Sequence, residues 1–132
     1  MAIDTLETAL PWSQVPEASR AIPQSIVETM ANYNESVLAF SHLSHVYRDG
    51  ASVYTTYLFR RTADPDQLLA RWGDIKHNAS LTIQRFGGTI SHQHGVGIDH
   101  AKYLPAEKGA LGMDAMRAVI KSFDPDGMMN PG

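Results

Sequence analysis

The sequence contains no cysteine, which excludes disulfides, thiolate metal sites and a cysteine nucleophile together. It has no apolar run near the ~18 to 20 residues that cross a bilayer. Met1 is not followed by a basic and then apolar leader, so the expectation is a soluble, cytoplasmic protein. The net charge is −3, and the eleven Lys and Arg are scattered along the chain; without a basic stripe, nucleic acid is excluded as a partner. Internal repeats, low-complexity tracts and flexible linkers are also lacking. What remains is a globular composition, 43% hydrophobic and 19% charged over 132 residues, which fits one domain spanning 1–132.

Residues 1–12 show no sustained period and read as an extended lead-in ended by Pro11. Ile22, Ile26, Met30 and Tyr33 recur at helical spacing, predicting a helix over 22–34 with Pro23 in its first turn. Two runs rich in β-branched and aromatic residues, 37–47 and 52–60, flank Arg48-Asp49-Gly50-Ala51 and read as a β-hairpin. A loop of those four residues sets Tyr47 opposite Ser52 and His45 across from Tyr54. Asp64-Pro65-Asp66-Gln67 then opens a capped helix with Leu68, Trp72, Ile75, Ala79, Ile83 and Phe86 on one face, ended by Gly87. A short strand at 89–92 and a last helix carrying Met113, Met116, Ile120 and Phe123 follow, stopped by Asp124-Pro125-Asp126-Gly127. The expected class is α+β, an antiparallel sheet with helices packed on one side.

Chemistry concentrates in GGTISHQHGVGIDH, residues 87–100. In a strand His92 and His94 point to one side and Gln93 to the other. Gly95 and Gly97 leave room for backbone or a flat ligand to approach. The G-x-G pair is no dinucleotide fingerprint, because position 100 is His100 rather than glycine. One reading has the histidines merely ending a strand. A second makes the chain a stand-alone metal- or ligand-binding module, with His92, His94 and His100 or His45 converging on an ion. Asp99 is then the one acidic neighbour, an incomplete set for zinc, and no metal is assigned.

GGTISHQHGVG, with SHVYRDGASVYTTYLF before it, FDPDGMMNPG at the end and DTLETALPWS at the start, resembles the carboxy-terminal region of the FAD-linked oxidase (vanillyl-alcohol oxidase) superfamily. Within it the likeness is to the alkyldihydroxyacetonephosphate synthases. That resemblance implies FAD, held mainly by an amino-terminal FAD-binding domain that nothing in this chain resembles. It further implies ether lipid synthesis: a fatty alcohol replaces the acyl group of acyl-dihydroxyacetone phosphate with no net redox change. Tyr54 matches the synthase's catalytic tyrosine, and His92 and His94 match two of three consecutive histidines, the middle one being Gln93 here. They are the expected catalytic residues. His45, Gln93, Gly95, Gly97 and Asn130 are the expected substrate- or cofactor-side residues.

Flavin-linked 2-hydroxyacid oxidases and dehydrogenases of the same superfamily are the alternative. The resemblance implies for them a metal held by two hairpin histidines and a glutamate. Here His45 keeps the first ligand, Tyr54 stands near the second and Gln93 replaces the glutamate. The expected partners are a small lipid-precursor substrate and the FAD-binding domain, with homo-oligomerisation and peripheral membrane association of the complete enzyme further expectations. The chain alone is expected to be inactive.

Overall fold

The computed structural model describes residues 1–129. Its elements are β1 (Ala2–Pro11), α1 (Val15–Ala31), β2 (Val37–Val46), β3 (Gly50–Phe59), α2 (Pro65–Arg85), α3 (Gly97–Ala101) and α4 (Leu104–Phe123). The class is α+β. One antiparallel sheet, ordered β1-β3-β2, has β3 at its centre, and α1 and α2 pack on one of its faces.

The core follows from two periodicities. Leu6 and Leu10 of β1 and Ala51, Val53, Tyr57 and Phe59 of β3 point to the helix side, as alternation along a strand requires. Val15, Ala18, Ile22, Ile26 and Met30 of α1 and Ile75, Ala79 and Ile83 of α2 meet them at spacings of three and four. Asp4 is paired inside this layer, accepting from Tyr57 (3.1 Å) and Trp72 (2.6 Å) and standing 3.0 Å from the Lys76 ammonium, whereas the buried Thr8 and Ser80 hydroxyls have no partner. Burial, then the Asp4 charge, raises the Tyr57 pKa. Asp4 is lowered, its own burial being outweighed by the bonds from Trp72 and Lys76.

Four expectations are corrected. The third strand is β1, not 89–92: the lead-in alternates Leu6, Thr8 and Leu10 inward with Glu7 outward, and pairs with β3 from Ala2↔Phe59 to Pro11↔Gly50. Residues 89–92 only run beside β1, through Thr89 N–H to the Ala9 carbonyl (3.3 Å) and His92 N–H to the Glu7 carbonyl (3.2 Å). From Thr89 to His92 is three steps along the chain against two from Ala9 to Glu7, and no strand is formed over 89–92.

Helix α1 starts at Val15 with Pro16 in its first turn, leaving Pro23 inside. An interior proline costs about 3 kcal/mol, and the apolar stripe that continues on both sides of it outweighs that cost. Gly87 does end α2 in the left-handed region (φ 68°), and the Asp64 carboxylate caps its start by accepting from Asp66 N–H at 2.9 Å.

The hairpin register differs as well. His42, not His45, lies across from Tyr54, and Val46 rather than Tyr47 begins the pairing, opposite Ala51. A bulge between Leu43 and Val46 inserts one extra residue in β2, and Gly50 belongs to β3 instead of the turn. Lastly, the final helix is longer than its stripe suggested, kinks at Gly109 (φ 67°), and does not pack its far half. Tyr103 and Leu104 join Ile90 in a small second cluster, whereas Met116, Ile120 and Phe123 stay exposed.

Two glycines are fixed by contact. A Cβ on Gly50 would stand 2.1 Å from the Leu10 carbonyl oxygen, and one on Gly88 would stand 2.3 Å from Thr8 Oγ1. Gly50→Ala is expected to cost about 1–3 kcal/mol or more, since backbone is the obstacle. Gly95→Ala, with nothing within 4 Å, should leave the urea midpoint unchanged. Equal midpoints for the two variants would contradict the β1–β3 packing described here.

Candidate functional site

The helix-free face of the sheet is built in rows. Reading across the register, Ile3, Leu58 and Leu38 form one row; Thr5, Thr56 and Phe40 the next; Glu7, Tyr54 and His42 the third. The rows pass from apolar to polar toward the hairpin end. The Tyr54 hydroxyl donates to Thr5 Oγ1 (3.3 Å), and its ring lies between His42 (centroids 5.3 Å) and His94 (6.0 Å).

Beyond that row the bulge takes over. A one-residue insertion exchanges the faces of a strand, so Val46 turns to the side of Ala51 while Tyr47 comes round beside the imidazoles. Ser52 satisfies the backbone group the bulge frees: its Oγ accepts the His45 N–H at 2.9 Å and lies 2.6 Å from Ser44 Oγ. Tyr47 closes the loop, its N–H donating to the Gly50 carbonyl (2.8 Å) and its carbonyl accepting from Trp12 Nε1 (3.2 Å).

At the centre is Glu7, with a side chain 2% exposed. Ser44 Oγ donates to its Oε1 (2.6 Å), and His92 Nδ1 stands 3.1 Å from the same oxygen. His94 Nε2 lies 3.2 Å from Oε2 and His45 Nδ1 3.7 Å from Oε1. His92 and His94 thus converge as expected, though not by strand alternation. Gln93 sits between them in the left-handed region (φ 59°), and that turn swings both rings onto one carboxylate.

Burial acts first on Glu7 and raises its pKa, but hydrogen bonds from Ser44, His92 and Ser52 outweigh it, so the group is held below the usual 4.5. It is a carboxylate at neutral pH. Glu7, His45 and His92 each place one ligand-type atom within 4.8 Å of the others. They could hold a metal ion, but Ser44 and His92 already serve Oε1 as donors.

Most of the expected residues gather here: Tyr54, His92, His94 and His45 all lie on the open face. Gly95 and Gly97 line a cleft of about 330 Å³ between the edge of β1, Lys76 and residues 91–100. Only Gly97 needs to be glycine for its conformation (φ 54°). Gln93 is exposed, and Asn130 lies outside the described residues. His100 bonds the Val96 carbonyl (3.1 Å) and stands apart from the Glu7 cluster. The sequence reading missed Glu7, His42, Tyr47, Ser44 and Ser52. The alternation of LETAL was the available signal for Glu7; the shifted loop and the bulge together hid the others.

The family model described as "FAD linked oxidases, C-terminal domain" matches residues 1–132. The alkyldihydroxyacetonephosphate synthase of Trypanosoma brucei brucei is 28% identical over 98% of this chain and 21% of its own length. The glycolate oxidase subunit GlcD of Bacillus subtilis is 32% identical over 95% of this chain and 25% of its length. A solved alkyldihydroxyacetonephosphate synthase structure superposes with a TM-score of 0.59 at 16% identity, over 98% of this chain and 19% of that one. That superposition supports the fold. The chain spans about a fifth to a quarter of the length of these relatives.

A buried carboxylate held below its usual pKa gives stability that is present above about pH 4.5 and lost as pH falls through the folded-state value. Glu7 and Asp4 both contribute in this direction. Thermal midpoints followed by circular dichroism from pH 7 to 3 should fall below about pH 4.5. Glu7→Gln should lower the midpoint at pH 7 and flatten the acid slope; an unchanged slope would remove Glu7 from that role.

Proposed function

Because the chain belongs to the FAD-linked oxidases, as their C-terminal domain, we propose that it is the substrate-side portion of a flavoenzyme that exchanges the acyl group of acyl-dihydroxyacetone phosphate for a fatty alcohol. The observation that carries this reading is the graded open face. From the row of Glu7, Tyr54 and His42 to the row of Ile3, Leu58 and Leu38 is two steps of the strand repeat, about 13 Å. Over that distance Ile3 (65% exposed), Leu38 (61%) and Phe40 (46%) are left open.

An amphiphile fits such a surface: its polar head reaches the imidazoles and phenol while its hydrocarbon covers the apolar rows. A short 2-hydroxyacid would leave those rows bare. The relationship to a glycolate oxidase subunit keeps the oxidoreductase as the alternative, and the Glu7–His45–His92 spacing is the feature that favours it, through a metal.

In the proposed reaction the chain's part is proton handling and orientation. Tyr54, flanked by His42 and His94, is the acid or base at the carbon next to the carbonyl, a role that suits a phenol set between two imidazoles. FAD does not fit these residues as a site of their own. A pyrophosphate cradle needs a glycine-rich turn opening a full helix, and Gly97 opens one of five residues. We assign the cofactor to the remainder of the enzyme, which is proposed to dock on the exposed apolar stripe of α4.

The test is made in the complete enzyme with hexadecanol and with glycolate. Exchange of the acyl group is expected, and dye reduction by glycolate is not; the reverse result would replace this reading with the oxidoreductase. Leu38→Asp and Phe40→Asp should each raise KM for the long-chain alcohol about 10- to 100-fold, the loss of one buried apolar contact. Tyr54→Phe should lower kcat about 10²- to 10⁴-fold with FAD retained.

A further inference from the structure

The face of the hairpin loop carries a phenol that neither the motif reading nor the row of Tyr54 uses. The Tyr47 hydroxyl stands 3.0 Å from His92 Nε2, and the other nitrogen of that ring, Nδ1, stands 3.1 Å from Glu7 Oε1. Hydroxyl, imidazole and buried carboxylate therefore lie in line, each joined to the next by one hydrogen bond.

Glu7 dictates the protons along this line. An ionised carboxylate only accepts, so the His92 nitrogen facing it is N–H, and in the neutral ring Nε2 then holds the lone pair. That lone pair meets Tyr47, whose hydroxyl must donate. Tyr47 is held for the task by its backbone bonds to Gly50 and Trp12, and its ring stacks on His45 at 6.4 Å and meets His92 edge-on at 5.9 Å. At 45% exposure it is reachable from outside, whereas Glu7 is not. Among the described residues no Lys or Arg pairs with Glu7, whose basic neighbours are the imidazoles of His45, His92 and His94.

We propose that Tyr47, His92 and Glu7 form a proton relay. Tyr47 is the catalytic group that takes the hydroxyl proton of an incoming alcohol, and Glu7 is a positioning residue that fixes the tautomer of His92. The alcohol's O–H bond breaks as its proton passes to the Tyr47 oxygen, while the Tyr47 proton passes to His92 Nε2. The imidazolium so formed is held against the Glu7 carboxylate. The reverse transfers return the proton to the leaving group, so the relay ends as it began. This follows the logic of a hydroxyl–imidazole–carboxylate triad, with a phenol at the outer end. The choice of an alcohol as ligand rests on the synthase reading above; the relay itself rests on the three side chains.

Two measurements separate those claims. Long-range ¹H–¹⁵N spectra of the 132-residue chain, recorded where the rings are neutral, should show His92 protonated at Nδ1 and bare at Nε2. Glu7→Gln should abolish that preference and Tyr47→Phe should retain it. An Nε2-protonated His92, or a tautomer indifferent to Glu7, would overturn the relay, as would zinc added at stoichiometric amounts displacing the Nδ1 proton. In the complete enzyme Tyr47→Phe should slow the alcohol-dependent rate about 10²- to 10⁴-fold. If the tautomer is found but no alcohol is used, the relay stands and the synthase reading falls. If alcohol exchange proceeds unaltered in Tyr47→Phe, the catalytic role of Tyr47 falls.

Discussion

One negative charge, withdrawn from water and met by imidazole and hydroxyl, organises the functional end of this molecule. A carboxylate this deep would be driven toward its neutral form unless donors surround it. Ser44, His92 and the nearby Ser52 supply them, and each comes from a different place: the bulge of β2, the turn after α2, and the central strand. The site is therefore assembled only when sheet, hairpin and the 88–100 segment are all in register. Local geometry that looks incidental, such as the left-handed Gln93 and the close approach of Gly88 to Thr8, sets how the histidine turn meets β1.

The two faces of one sheet divide the labour. Odd positions of β3 meet α1 and α2 and supply stability, while even positions carry Ser52, Tyr54, Thr56 and Leu58 outward. Substitutions on the outward side can alter chemistry with little effect on the core, which suits a fold family whose relatives include both a synthase and an oxidase subunit.

How far the sequence could be read depended on whether a feature was local. The α2 helix was legible because cap, stripe and terminating glycine are all contained in its own residues. So was the hairpin's existence, and so was the gathering of His92, His94 and Tyr54. The strand nature of residues 2–11 was obscured because its partner lies some fifty positions away, and a polar–apolar alternation that includes Thr5 and Thr8 imitates a loop. The bulge could not be foreseen: no Gly or Pro marks it, and its stabilising bonds come from Ser52 across the sheet. The loop, placed two positions off, and the bulge, worth one more, together exchanged His45 for His42 opposite Tyr54 and left Tyr47 unnoticed. The α1 start was displaced because Pro23 looked like a beginning, although the same stripe extends back to Val15. The stripe of α4 was read correctly as a pattern, but periodicity alone does not say what covers it.

The bulge in β2 has a consequence for how such domains diverge. Because it sets two residues, Ser44 and His45, opposite the single Ser52, dropping either would restore regular pairing with Leu43↔Val53 and Val46↔Ala51 both kept, leaving the phenol on its surface and removing either the hydroxyl donor to Glu7 or one imidazole. A related chain could keep every tyrosine and histidine in place and yet, through a single-codon deletion of Ser44, leave the buried carboxylate one donor short. The stretch between Leu43 and Val46 is thus the place where relatives can differ by one residue without moving the surface on which the phenol stands.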